Sequence, residues 1–98
     1  MICTRKNILD FLAQSKESFM REFSATKLGL FGSYARNDYS STSDIDIVVE
    51  LQNPDMFALI GIKQVIEDAF AKKVDIVRLR NDMNPSLRHQ IEKDAMYV

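Results

Sequence analysis

The sequence is poor in the residues that staple, kink or metallate a small protein. Cys3 is the single cysteine, so no internal disulfide can form. That economy suits a reducing cytoplasm, where the protein is expected to reside. His89 is the single histidine, which excludes a histidine-built metal cluster. Tryptophan is absent, and only three glycines and two prolines occur in 98 residues. An excess of either charge is also missing: 13 Lys and Arg against 14 Asp and Glu leave a net charge of −1. A dedicated nucleic-acid binder would carry a basic excess, so no direct nucleic-acid binding is expected. No apolar run approaches the roughly 18–20 residues of a membrane span, and Met1 to Lys6 lacks the apolar centre of a signal peptide. No membrane association is expected, and the chain shows neither repeats nor low-complexity segments.

What remains is ordinary globular material. Hydrophobic residues make up 46% of the chain, enough for a core, and the length supports one domain over residues 1–98. A domain this small is only moderately stable and leans readily on a partner.

The stretch Leu28 to Glu50, LGLFGSYARNDYSSTSDIDIVVE, organises the rest. It reads as a strand (Leu28–Phe31), a tight turn at Gly32-Ser33, a short helix (Tyr34–Arg36), a polar loop (Asn37–Ser43) and a second strand (Asp44–Glu50). Asp44 and Asp46 alternate with Ile45 and Ile47, so both carboxylates point to one face of the strand and both isoleucines to the other. Aspartate is depleted in strands, and like charges on one face cost free energy. A divalent cation turns that cost into a site, since Mg²⁺ prefers hard oxygens and commonly takes one or two carboxylates plus substrate phosphates.

Gly32 lets the backbone approach a ligand closely. Free N–H groups at a helix start favour phosphate, and the Ser33 hydroxyl adds a donor. Arg36, one short turn on, can meet another phosphate oxygen. Taken singly, each residue has a plainer role: Ser33 as an N-cap, Asp44 and Asp46 as the polar face of an edge strand, Arg36 as a solvated surface charge. The joint pattern is far more specific than its parts. Tyr34 and Tyr39 flank it, each a candidate to stack on a base though more often incidental in such loops.

With these residues in place the sequence resembles a known family. Gly32-Ser33, Ala35-Arg36 and Ser43-Asp44-Ile45-Asp46 match the GS-x-AR…SD-x-D pattern of polymerase-β-like nucleotidyltransferases, and most closely the minimal nucleotidyltransferases. The motif covers about a quarter of the chain, and element order and length extend the resemblance to nearly all of it. Asn37 stands where the family usually has Gly; Asn is the best non-glycine residue for positive φ, so the turn should survive. The resemblance implies an α+β fold, a mixed β-sheet packed with helices in two layers. It implies Mg²⁺ as cofactor and ATP as substrate. It also implies a hetero-oligomeric pairing with a HEPN-domain ribonuclease toxin, to which this chain would be the antitoxin.

The remaining elements follow from periodicity and punctuation. Thr4 caps a helix to about Phe23, with Ile8, Phe11, Leu12, Phe19 and Phe23 near one face. Asn53 and Pro54 start a second long helix running to about Lys72, with Leu59, Ile62, Ile66, Ala69 and Phe70 inward; Gly61 inside it costs up to about 1 kcal/mol relative to Ala. Lys72-Lys73 at its end suits the helix dipole. Val74 to Leu79 reads as a third strand, Asn84-Pro85 opens a short helix to about Lys93, and Met96–Val98 forms a last strand or a partner contact.

Asp75 sits in the third strand, where a strand-edge aspartate is the plainer reading of that segment alone. The resemblance places it as the third carboxylate, joining Asp44 and Asp46 as metal ligand and acting as general base. The function expected is Mg²⁺-dependent transfer of AMP from ATP to a hydroxyl, with a tyrosine of the HEPN toxin implied as acceptor. An antitoxin that works by covering its toxin without catalysis is the alternative. A nucleotide-sugar glycosyltransferase, suggested by Asp-x-Asp alone, fits poorly with the short chain and the upstream Gly-Ser.

Overall fold

The computed structural model describes residues 1–98. The chain runs α1 (Arg5–Phe23), β1 (Ala25–Phe31), α2 (Gly32–Arg36), β2 (Ile45–Leu51), α3 (Met56–Phe70), β3 (Val74–Arg78), α4 (Pro85–Asp94) and β4 (Met96–Tyr97). The four strands form one mixed sheet in the order β3-β2-β1-β4. β1 lies antiparallel to both β2 and β4, whereas β2 and β3 are parallel. A parallel pair needs a long crossover, and α3 supplies it.

Strand alternation sorts the side chains to two faces. Leu28 and Leu30 of β1, Ile45, Ile47 and Val49 of β2 and Val74 of β3 join Ile8, Leu12 and Phe19 of α1 and Ala58, Ile62, Ile66 and Phe70 of α3 in the main core. On the other face, Phe31, Val48, Met83 and Ile91 make a smaller cluster under α4. The mixed α+β sheet expected from the sequence is thus present, with α4 covering part of the second face. No helix is long and apolar enough to cross a membrane.

The first helix is capped as expected: the Asn7 N–H donates to Thr4 Oγ1 at 3.1 Å. Ser24 ends it in the left-handed region at φ 56°. The chain therefore enters β1 at Ala25, earlier than the Leu28 expected, and Ala25 pairs with Leu51. The Thr26 hydroxyl meets Glu50 Oε1 at 2.9 Å and extends the pairing.

The second long helix is shorter than its sequence suggested at both ends. Asp55, not Asn53, is its cap, accepting the Phe57 N–H at 2.9 Å, so Pro54 lies outside. It stops at Ala71, which takes φ 52° and donates to the Glu67 carbonyl. Lys72 and Lys73 are therefore beyond the helix rather than on its last turn. Gly61 has a packing reason: a Cβ there would lie 2.6 Å from the Phe23 ring. The last helix forms as expected, with Asn84 Oδ1 accepting the Ser86 and Leu87 N–H groups at 2.9 and 3.1 Å. Replacing Asn84 by Ala should cost about 1 kcal/mol, read as a lower urea midpoint with an unchanged slope.

Candidate active site

Strand register brings the sequence-predicted acids together. Asp46 is the cross-strand partner of Phe31 on β1 and of Asp75 on β3. Paired residues in neighbouring strands project to the same face at a spacing of about 4.8 Å. Ile45, Ile47 and Val74 point into the main core, so Asp46 and Asp75 occupy the opposite, α4-bearing face. Asp44 lies one residue before β2, and its neighbour Ile45 donates its N–H to the Lys73 carbonyl at 3.0 Å, which ties the entrance of β2 to that of β3.

Exposure grades the three. The Asp75 side chain is 51% exposed and that of Asp44 40%, while Asp46 is half-buried. Burial first, then the charges of Asp75 and Asp44, push the Asp46 carboxyl up to about 6, and Arg36 opposes them.

Gly32 is where the backbone must pass this carboxylate. It adopts φ 75°, and a Cβ built on it would run into the Asp46 carboxylate, 2.9 Å from Cγ. Glycine is therefore required twice, by conformation and by space. α2 starts at Gly32 itself, so Phe31 rather than Ser33 holds the cap position, and no side chain caps the helix start. Ser33 stands in the first turn, half-exposed. Asn37 closes α2 at φ 64°, the positive value expected of it.

Arg36 is more constrained than its sequence suggested. Its Nε donates to Asp38 Oδ2 at 3.1 Å and its Nη1 to Asp94 Oδ2 at 2.8 Å, and the Asp94 side chain is only 6% exposed. The guanidinium thus pins α2 to the end of α4 and leaves its remaining N–H groups for a ligand. Tyr34 is not available to a base: it is buried in the core and its ring stacks on Tyr39 with centroids 4.2 Å apart.

Two residues of the site were not legible as such. Lys73 Nζ lies 3.8 Å from Asp44 Oδ2 and 4.0 Å from Asp75 Oδ1. Lys72 Nζ donates to the carbonyls of Ser41 and Ser43 at 2.6 and 3.3 Å, holding the loop that delivers Asp44. Their signal was the Lys-Lys pair, which periodicity assigned to the helix.

The donor set suits a hard divalent cation. It offers carboxylate oxygens only, crowded enough to raise one of them. The three acids are not closed around one point as a ready-made cage. Mg²⁺ usually takes one or two carboxylates and completes its shell with phosphates and water. The region is open surface. The two depressions of the fold lie elsewhere, one of about 460 Å³ beside Phe23 and Phe57 and one of about 300 Å³ beside Leu28 and Tyr97.

A family model described as a nucleotidyltransferase domain matches residues 12–98. The chain belongs to the nucleotidyltransferase-domain family. A Methanocaldococcus jannaschii protein named "Putative protein adenylyltransferase MJ0128" is 34% identical over 96 residues, spanning 97% of this chain and 98% of that one. The solved "Structure of putative minimal nucleotidyltransferase" superposes with a TM-score of 0.76 at 25% identity, covering 96% of this chain and 95% of that one. A crystal structure described as a toxin–antitoxin with AMP-PNP gives a TM-score of 0.69 at 26% identity, covering 86% of this chain and 69% of that one. The expected resemblance is thus met in both sequence and fold, and the chain is a nucleotidyltransferase.

Two outcomes follow from the geometry of this carboxylate cluster. Asp46→Asn should stabilise the metal-free protein above about pH 6, where the wild-type carboxylate is charged in both states but penalised only in the folded one. The gain should be about 1–2 kcal/mol after solvent screening. It should fade as pH falls and vanish below about 4, where both states are protonated; urea melts across pH 4–8 measure it. Gly32→Ala should cost about 2 kcal/mol, from the positive φ and the displaced carboxylate, measured the same way.

Proposed function

We propose that this nucleotidyltransferase moves AMP from ATP to a hydroxyl of a partner toxin, in the manner of a protein adenylyltransferase antitoxin. The observation that carries the reading is the row of Asp44, Asp46 and Asp75 at the entrances of two parallel strands, directly beside the positive-φ Gly32. The chemistry of the group fits because it combines a place for charge compensation with a place where backbone can meet phosphate. The naming of the relative as a protein adenylyltransferase, and AMP-PNP, an ATP analogue, in the structural neighbour, support the same choice.

Asp44 and Asp46 would hold Mg²⁺, with Asp75 completing the set. The ion, when bound, supplies neutralising charge between carboxylates and phosphates. Gly32 and Ser33 receive the phosphates through first-turn N–H groups and the hydroxyl, and Arg36 offers its remaining donors to a further phosphate oxygen while Asp38 and Asp94 keep it oriented. The acceptor oxygen attacks the α-phosphorus, a new P–O bond forms, and the bond to the pyrophosphate oxygen breaks. Asp75, the most exposed of the three acids, takes the acceptor proton. Its exposure matters because a protein hydroxyl must arrive from outside. The acceptor we infer is a tyrosine of a HEPN-domain toxin, following the family resemblance.

No depression encloses the site, so a partner must supply the wall that grips base and acceptor. Apolar surface is available for docking: Phe57 is 82% exposed and Met56 74% at the start of α3, and Met96 and Tyr97 are exposed on β4.

Intact mass spectrometry of the co-purified partner after incubation with Mg²⁺ and ATP tests the proposal. One or more AMP units should be added, and none with Asp44→Ala/Asp46→Ala. An unmodified partner that remains bound and silenced would instead establish neutralisation by binding alone. AMP addition that persists in the double variant would mean that other residues carry the chemistry.

A further inference from the structure

The lysine at the mouth of the site is held there by the backbone. Ala71 turns the chain out of α3 in the left-handed region. The Ile45 N–H then holds the Lys73 carbonyl at 3.0 Å, and the next N–H, of Val74, donates to Glu67 Oε2 at 2.9 Å. Lys72 is anchored on the Ser41 and Ser43 carbonyls. Lys73 is therefore fixed at the strand entrance, two residues before Asp75 and across from Asp44. Its ammonium lies 3.8 Å from one carboxylate and 4.0 Å from the other. Those are loose contacts, in reach of both acids and committed to neither. Asp46, deeper in the site, has no comparable partner.

We propose that Lys73 is a resident counter-cation of the carboxylate site: it holds Asp44 and Asp75 facing each other when no metal is bound, and it weakens metal binding until a nucleotide arrives. The inference rests on the reading of these acids as the metal site. Its physics is competition. A divalent ion entering between Asp44 and Asp75 meets a positive charge already there, and the ammonium must swing away. The Lys73 side chain is 66% exposed, so it can do so freely. Bound triphosphate gives it a new anionic partner, so metal and nucleotide enter more favourably together than apart. Lys73 is in this sense a positioning residue, acting through the carboxylates.

Direct Mn²⁺ binding to the nucleotide-free protein, followed by the electron paramagnetic resonance of the free ion, tests this without reference to turnover. Lys73→Gln should bind Mn²⁺ about three- to tenfold tighter than wild type, the size expected of one unit charge displaced to roughly 6–10 Å from a divalent ion in a water-like dielectric. Lys73→Arg should stay near wild type, and the difference should shrink in high salt. Arg21→Gln, which removes the same charge at the opposite end of the sheet, should change nothing. Equal or weaker binding in Lys73→Gln, or an equal gain in Lys73→Arg or Arg21→Gln, would overturn the role of Lys73 while leaving the metal site standing, provided Asp44→Ala/Asp46→Ala abolishes binding. Absence of Mn²⁺ binding in every variant, with and without ATP, would remove the metal site itself and the role of Lys73 with it.

Discussion

The parallel pairing of β2 with β3 is the constraint on which the rest depends. Its register sets Asp46 directly beside Asp75, and two carboxylates at strand spacing repel. Several features of the structure answer that repulsion. Gly32 vacates the volume that Asp46 fills. Arg36 lends positive charge from α2. Lys73 reaches the two outer acids. The hydrophobic alternation on the reverse face, Ile45, Ile47 and Val74 in the main core, keeps the strands from slipping, because a one-residue shift would drive the acids inward. The fold thus stores unfavourable charge at one end and stabilises it from the core at the other.

Much of this was legible from the chain. Alternation of Asp with Ile predicted which way the acids face, Asn84-Pro85 predicted a capped helix, and Asn37 was identified as a residue able to take positive φ in place of glycine. Periodicity found the long helices and most of their buried residues. What was not legible depended on single backbone turns. An alanine at φ 52° carries no sequence signal, since alanine is the best of helix formers. Without knowing that α3 stops there, Lys72-Lys73 reads as a helix end and its place beside the carboxylates is invisible. The start of α3 failed for a related reason: Asn53, Pro54 and Asp55 all favour a helix start, and only tertiary placement selects the aspartate. The short helix that carries Tyr34 was legible, but not that it turns this side chain into the core, where it stacks on Tyr39, because a five-residue helix has too little periodicity to show its buried face. Arg36 could be placed near the site, but its grip on Asp94 joins residues 58 positions apart, beyond any local pattern.

The openness of the site bears on how a nucleotidyltransferase this small can act. The acids lie on exposed sheet face rather than at the bottom of a cleft, and the depressions of the surface lie away from them. An open site excludes little water, so fixed charges in it are worth less than in an enclosed one. On the proposed reading, a partner that brings its hydroxyl to Asp75 also closes the site, and substrate and missing wall are then the same molecule. Such an arrangement restricts transfer to proteins that dock.

The graded burial of the three acids gives this arrangement its direction. Asp46 is held between Gly32 and the sheet, with its carboxyl pushed up to about 6. A carboxylate so crowded gains more from an arriving cation than an isolated one, because the ion relieves a penalty the fold already bears. Asp75 lies at the solvent edge, and Asp44 at the strand entrance follows the loop that Lys72 holds. Depth therefore separates the tasks. On the proposed reading, the innermost acid creates the demand for positive charge, the outermost meets the acceptor, and the Lys73 ammonium beside Asp44 and Asp75 sets how strongly that demand is felt before nucleotide binds.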